Sequence, residues 1–190
     1  MNILIVGVGG QGTLLSSRVL GKYAQLKGSE CKLSEVHGMA QRGGSVVTHV
    51  RIADKVYSPI ITTGEVDVLI AFEALEALRW KHYLKPDGYL VVNSQKIFPM
   101  PVIMGLEKYP EDVEAKCKEH KNTYVMNAVG LAEQAGSAKA TNIVMLGAVC
   151  ALCGLDKGDF EKAVEASVPP KFLALNKEAF EAGYNFVTRA

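Results

Sequence analysis

An almost wholly apolar run, Asn2-Ile-Leu-Ile-Val6, passes directly into Gly7-Val-Gly-Gly-Gln-Gly12 and then into the amphipathic stretch Thr13–Lys27. Nothing else in the chain constrains its fold as tightly. A short unbroken apolar run is what a parallel strand buried on both faces requires. In the following stretch Leu14, Leu15, Val19, Leu20, Tyr23 and Leu26 recur at helical spacing, and Gly28 is placed to end that helix. Strand, glycine turn and helix in this order predict the opening unit of an α/β protein.

The same signals continue along the chain. A second strand is expected around Lys32–Val36, and the β-branched Ser45–Ile52 reads as a third. Ala53-Asp54-Lys55 is read as a tight turn into a returning strand, Val56-Tyr57-Ser58, so the sheet should be mixed but mostly parallel. Asp67–Phe72 and Tyr89–Asn93 read as buried strands, with a helix over Glu73–Tyr83 and a Pro86-Asp87-Gly88 turn between them. Residues 97–110, with Pro99, Pro101 and Gly105, form a loop or edge segment, and Thr123–Asn127 a last strand. The remainder is helical: Val129–Gln134, Thr141–Cys153, Asp159–Ser167 and Pro170–Tyr184, with Val168-Pro169-Pro170 parting the last two. One domain over residues 1–190, α/β with a helical C-terminal portion, is expected.

Bulk properties exclude several classes. The 190 residues are 48% hydrophobic, enough for one well-buried core. Lys and Arg number 21 against 20 Asp and Glu, a net charge of +1, so no overall field favours nucleic acid or an anionic membrane. No apolar run approaches the ~18–20 residues needed to span a bilayer, and no signal peptide opens the chain, which points to a cytoplasmic, reduced protein. The four cysteines are too few for a disulfide scaffold. Cys150-Ala-Leu-Cys153 lies in an apolar helical segment, with Cys31 and Cys117 isolated elsewhere, and reads as core packing rather than a cluster site.

The chemistry is concentrated in two glycine loops. Gly7, Gly9 and Gly12 match GxGxxG, with Gly10 and Gln11 between; missing Cβ atoms let a phosphate approach the amides at a helix N-terminus. Phosphate contact, close strand–helix packing and a subunit contact all satisfy that pattern. Glu35 lies about 23–28 residues beyond these glycines, near the distance at which a dinucleotide fold places its ribose carboxylate. The second loop, His37-Gly-Met-Ala-Gln-Arg-Gly-Gly44, is harder to explain as packing. Arg42 offers a planar fork for phosphate or carboxylate, Gln41 donates and accepts, and Gly43-Gly44 exposes amides beside the cation. His37 is read as bracing the loop, and Arg42 has Glu35 as an alternative partner. GxSxG, GxxxxGK[ST], HExxH and a ferredoxin cysteine ladder are all absent, so no catalytic apparatus is recognisable.

Gly7–Gly12 together with His37–Gly44 resembles the gamma-type family of 2-oxoacid:ferredoxin oxidoreductase subunits, over most of the chain and including Thr141-Asn-Ile-Val-Met-Leu-Gly-Ala148. Pyruvate-type relatives carry Tyr-Gly-Pro-Glu-Met-Arg before the double glycine. The run His-Gly-Met-Ala-Gln-Arg here is similar to the arylpyruvate branch, the beta subunits of indolepyruvate:ferredoxin oxidoreductases. The resemblance implies a Rossmann-like three-layer αβα module, itself non-catalytic. It would support oxidative decarboxylation of an aryl 2-oxo acid to an acyl-CoA with reduction of ferredoxin. It also implies a large catalytic partner subunit carrying thiamine diphosphate, Mg and [4Fe-4S] clusters, and none of these in this chain. By position, Gly7, Gly9, Gly10, Gln11 and Gly12 with His37, Gln41, Arg42, Gly43 and Gly44 would face the substrate, CoA or a phosphate.

Two other classes stand beside this. A free-standing NAD(P)- or flavin-binding oxidoreductase is supported by GxGxxG and Glu35, but no proton donor or substrate domain follows. A pure interaction module would make both loops interface, and Ile143–Leu146 would then suit a partner surface as well as it suits the core.

Overall fold

The computed structural model of the chain describes residues 1–38 and 43–189. Strand β1 (Asn2–Val8) leads through Gly9–Gly12 into helix α1 (Thr13–Leu26). The helix begins where it does because Gly12 holds φ at +87°, in the left-handed region that a Cβ disfavours. Five further strands follow: β2 (Glu30–His37), β3 (Ser45–Ala53), β4 (Val66–Ala71), β5 (Leu84–Asn93) and β6 (Thr123–Met126). The sheet order is β2-β3-β1-β4-β5-β6. β1, β4, β5 and β6 run parallel, whereas β3 is antiparallel to both its neighbours, β1 and β2.

The sheet is therefore mixed and mostly parallel, but for a different reason from the expected hairpin. Val56–Ser58 forms no strand. The N–H of Val56 donates to the Glu30 carboxylate (2.8 Å), Lys32 takes the Tyr57 carbonyl (3.3 Å), and Arg51 takes those of Ser58 and Ile60 (3.4 and 3.1 Å). Side chains thus satisfy the backbone groups a ladder would need, and both edges of β3 are already occupied. Pro86–Gly88, expected as a turn, is instead a bulge inside β5: Val66 pairs with Leu84 and Val68 with Tyr89, leaving the residues between without register.

Alternate residues of the same strands feed two cores. Ile3, Ile5, Val68 and Ile70 pack with α1, α5 (Ala128–Gln134), α6 (Thr141–Leu152), α7 (Lys157–Glu165) and α8 (Leu173–Thr188). Leu4, Val6, Leu69 and Ala71 pack on the other face with α2 (Ala74–Trp80) and α4 (Val113–Lys118). Three αβα layers result, as expected, with the thicker helical layer supplied by the C-terminal portion. A one-turn helix, α3 (Met100–Ile103), lies between β5 and α4.

Helix α6 is buried continuously from Thr141 to Cys150, so Ile143–Leu146 is core and not a partner surface. A helix apolar all round must lie between layers. Here the covering layer is α8, which approaches closely because Gly147 and Gly183 carry no Cβ. One added at Gly183 would drive into the Val144 carbonyl, and one at Gly147 into that of Phe180. Cys150 is fully buried in this core and Cys153 half-buried beside it, as the packing reading of the pair requires. No helix among the described residues is long and apolar enough to cross a membrane.

Candidate functional site

Strand direction decides where the two glycine loops go. β1 ends at Val8 and the antiparallel β3 begins opposite it at Ser45, while β2 ends with His37 opposite Val46. The described ends of the connection from β2 to β3, Gly38 and Gly43, therefore lie on the same edge of the sheet as the loop leaving β1. This is also the edge where the chain changes face: β1 is followed by α1 on one side, β4 by α2 on the other. A crevice at such a switch point, outside the carboxyl ends of parallel strands, is where open α/β sheets bind ligands.

Gly9 and Gly44 meet directly, the N–H of Gly9 donating to the Gly44 carbonyl at 2.9 Å. Gly7 is the buried penultimate residue of β1, and Gly10 and Gly12 form the lip of the crevice. Gln11 is engaged within the chain. Its Oε1 accepts from the N–H of Val8 (2.7 Å), and its Nε2 donates to the Phe72 carbonyl (3.0 Å) and to Gln95 Oε1 (3.1 Å). It ties the loop to the ends of β4 and β5, where buried Asn93 takes the same Phe72 carbonyl (3.0 Å). His37 is exposed, its Nδ1 3.3 Å from the Gly38 carbonyl. Gly43 and Gly44 close the second loop. Gln41 and Arg42 lie outside the described residues, as does any pairing of Arg42 with Glu35.

Two clefts flank the lip. One is lined by Gly10, Gly12, Gln95, Val129, Lys139 and Thr141, the other by Gly9, Gly10, Thr13, Glu35, His37 and Val46. At the first cleft the N-termini of α1 and α6 converge: neither has a side-chain cap, and neither carries an acidic residue in its first turn. The positive ends of two helix dipoles and the first-turn N–H groups of α1 make that lip suited to an anion, whereas at α6 the Thr141 N–H donates to the Ala138 carbonyl and the Ile143 N–H to Asn142 Oδ1 (3.0 Å). In the second cleft Glu35 accepts from Thr13 and Thr48 (3.4 and 3.1 Å). Insertion of β3 sets the Glu35 strand one spacing, about 4.8 Å, further from β1 than in a sheet where the two strands are neighbours. That weakens its likeness to a ribose-binding carboxylate.

Several residues of the site escape sequence reasoning. Gln95 and Lys139 reach the cleft from distant elements and no local motif marks them; Thr141 opens the 141–148 run of the resemblance, but nothing local to it points to the cleft. At the start of β3, Ser45 Oγ donates to Glu76 Oε2 (2.6 Å) and Arg79 donates to Glu76 Oε1 (2.6 Å), although Glu76 is almost fully buried. Glu73, also buried, accepts from the N–H of Glu76 (2.9 Å), the N–H of Ile97 (3.2 Å) and the Tyr109 hydroxyl (2.7 Å). Burial and the neighbouring carboxylate push the Tyr109 phenol well above its usual range, so it remains the donor. A signal for Glu73 did exist: Glu-x-x-Glu ahead of an apolar helix has the spacing of a capping box.

Residues 2–186 match the profile of the pyruvate ferredoxin/flavodoxin oxidoreductase family. The chain is 40% identical to indolepyruvate oxidoreductase subunit IorB of Pyrococcus horikoshii over 188 residues, covering 96% of this chain and 93% of that one. Among solved structures it is similar to the gamma subunit of the keto/oxoacid ferredoxin oxidoreductase of Geobacter sulfurreducens, with a TM-score of 0.75 and 29% identity over 100% and 99% of the two chains. It shares the fold of part of the 2-oxoglutarate:ferredoxin oxidoreductase of Magnetococcus marinus (TM-score 0.77, 21% identity), covering 100% of this chain but 31% of the longer one.

Proposed function

The chain belongs to the pyruvate ferredoxin/flavodoxin oxidoreductase family, and from that premise we propose that it is the small, non-catalytic subunit of an indolepyruvate:ferredoxin oxidoreductase, acting as one domain over residues 1–190. The near-full-length likeness to an indolepyruvate oxidoreductase subunit carries this reading. The complex would convert an aryl 2-oxo acid, CoA and two oxidised ferredoxins into an acyl-CoA, carbon dioxide, two reduced ferredoxins and a proton. It would do so in the cytoplasm.

Thiamine diphosphate, Mg and [4Fe-4S] clusters are assigned to the larger subunit, where they supply decarboxylation and electron transfer. The described residues of this chain do not fit a metal ion or a cluster. Among the described residues no three His, Cys, Asp or Glu gather as metal ligands. Burial pushes the Cys117 and Cys150 thiols up to about 11 and about 12, away from the thiolate that a cluster needs.

What this chain contributes is one wall of a shared site. Gly10 and Gly12, with the N-terminus of α1, the positive end of α6 and the Lys139 ammonium beside them, are suited to receive the phosphates of CoA, and Gly9 ties this loop to Gly44. Arg42 and Gln41, with the amides of Gly43 and Gly44, would take a phosphate or the substrate carboxylate from the other side, and Gln11 and His37 hold the two loops in shape. Ferredoxin would meet the complex at the larger subunit.

Co-expression with the larger subunit tests this. The complex should reduce ferredoxin only when indolepyruvate and CoA are both present, and neither subunit alone should do so. Micromolar binding of NAD(P)H or a flavin by the isolated chain, without complex formation, would overturn the assignment in favour of a free-standing oxidoreductase.

A further inference from the structure

We propose that the apolar ledge Phe98–Leu106 is the surface by which this chain docks on the larger subunit, an inference that rests on the subunit reading above. The stretch Phe98-Pro-Met-Pro-Val-Ile-Met-Gly-Leu106 contains no charged residue. Phe98, Met100, Ile103, Met104 and Leu106 are nevertheless each more than half exposed. They make up five of the twelve exposed large hydrophobic side chains among the described residues, so the exposure is concentrated rather than scattered. Isolated exposed apolar residues need no explanation; a contiguous set marks an interaction site.

The ledge is held in shape. Buried Glu73 grips it on both sides, through the N–H of Ile97 before it and the Tyr109 hydroxyl after it. The Phe98 ring packs on Tyr109 at 5.3 Å between centroids, and α3 is closed by bonds from Ile103 to the Pro99 carbonyl (3.1 Å) and from Leu106 to that of Pro101 (2.9 Å). Taking a carboxylate out of water costs several kcal/mol unless it is fully hydrogen-bonded. Here that arrangement secures a segment whose own apolar side chains face solvent, and a surface ordered in advance has less entropy to lose on association.

Three observations select the occupant. Ile97 and Pro99 share a small cleft with Gly43 and Ser45, so the ledge continues the sheet edge that carries the glycine loops. In the Magnetococcus enzyme the same fold is 31% of a longer chain, joined to further protein covalently; a separate subunit must replace that covalent tie with a contact surface. The flanking charges Lys96, Glu107, Lys108 and Glu111 balance, so no basic cluster draws the ledge to an anionic membrane. Met100 and Met104 add the adaptable packing of a protein contact. A stable interface covers about 800 Å² on each partner, of which the ledge would form the apolar centre.

The test is co-elution and affinity of the complex made with Ile103→Asp or Met104→Asp, with Tyr57→Asp and Phe172→Asp as exposed apolar controls elsewhere. The ledge variants should weaken association at least tenfold while the thermal midpoint of the isolated chain is unchanged, and the controls should bind normally. In the wild-type complex, which needs no substitution, Met100 and Met104 should be protected from peroxide oxidation relative to the free chain. Wild-type affinity in the folded ledge variants, or unprotected methionines, overturns the ledge and leaves the subunit reading standing. A ledge that mediates only self-association or vesicle binding overturns it likewise. If the wild-type chain does not bind the larger subunit at all, both fall.

Discussion

The N–H of Gly9 donates to the carbonyl of Gly44 at 2.9 Å, carrying the β1–β3 ladder one rung past Val8 and Ser45. The first glycine loop is therefore tied to the C-terminal end of the second. Their far side is anchored by Ser45, whose hydroxyl reaches Glu76 on α2. Whatever the 37–44 loop touches, its C-terminal stem is set by β1 and α2.

Ser45→Ala removes a donor from a buried carboxylate and should lower stability by about 1–2 kcal/mol in urea denaturation. In the reconstituted enzyme it should also raise the KM for CoA or oxo acid while leaving kcat largely unchanged, and Ser45→Thr should restore both. A stability loss with an unmoved KM would mean the anchor is structural only.

Arg42→Ala should raise the apparent KM for CoA or for the oxo acid, with co-purification of the complex intact. Unchanged kinetics in an assembled complex would remove Arg42 from the site. Loss of assembly would instead make the loop an interface element.

Gly183→Ala places a methyl group against the Val144 carbonyl, which is backbone and cannot rotate away. α6 and α8 must separate to admit it. The expected loss is about 1–3 kcal/mol, read as a lower thermal midpoint. An unchanged midpoint would show that the helices slide without cost.

His49 is buried on β3, and its Nδ1 accepts the N–H of Ile61 at 3.2 Å. Burial holds its pKa below the ordinary imidazole value of about 6.5. The unfolded chain then binds the proton more readily. The stability contribution is whole above pH ~6.5 and is lost as pH falls through the depressed folded value. His49→Asn keeps an acceptor and cannot titrate, so its stability should fall less between pH 7 and 5 than that of the wild type. Parallel curves would refute this.

Burial raises the Cys150 thiol to about 12 and those of Cys117 and Cys153 to about 11. None should react appreciably with maleimide at neutral pH in the folded chain, and all should react in denaturant. Rapid native labelling at Cys150, counted by mass, would contradict the core packing of α6.

Much of the fold is legible locally. The apolar runs at 2–6 and 67–72 need partners on both faces, and the helical spacing after Gly12 can be met only by packing back on them. The two candidate loops are likewise visible as local glycine patterns, although phosphate contact, packing and a subunit contact satisfy the first of them alike. Legibility ends where pairing is non-local. Val56–Ser58 carries the pattern of a returning strand, yet Glu30, Lys32 and Arg51 take its backbone groups. Ile143–Leu146 suits a surface or a core equally until α8 is laid over it.

What the sequence determined by itself is therefore the kind of protein: an α/β chain, two glycine loops and a family resemblance, all written in short-range patterns. Only the tertiary structure decided that β3 lies between β1 and β2. That placement sets Glu35 a strand away from the fingerprint and brings Gly44 onto Gly9. It also put Gln95 and Lys139 at the lip, Glu76 against Ser45 and a charge-free ledge beside Gly43 and Ser45. Strand order is a choice among ladders of similar local energy, settled by which arrangement buries both faces of the sheet at once. No window of sequence contains that sum.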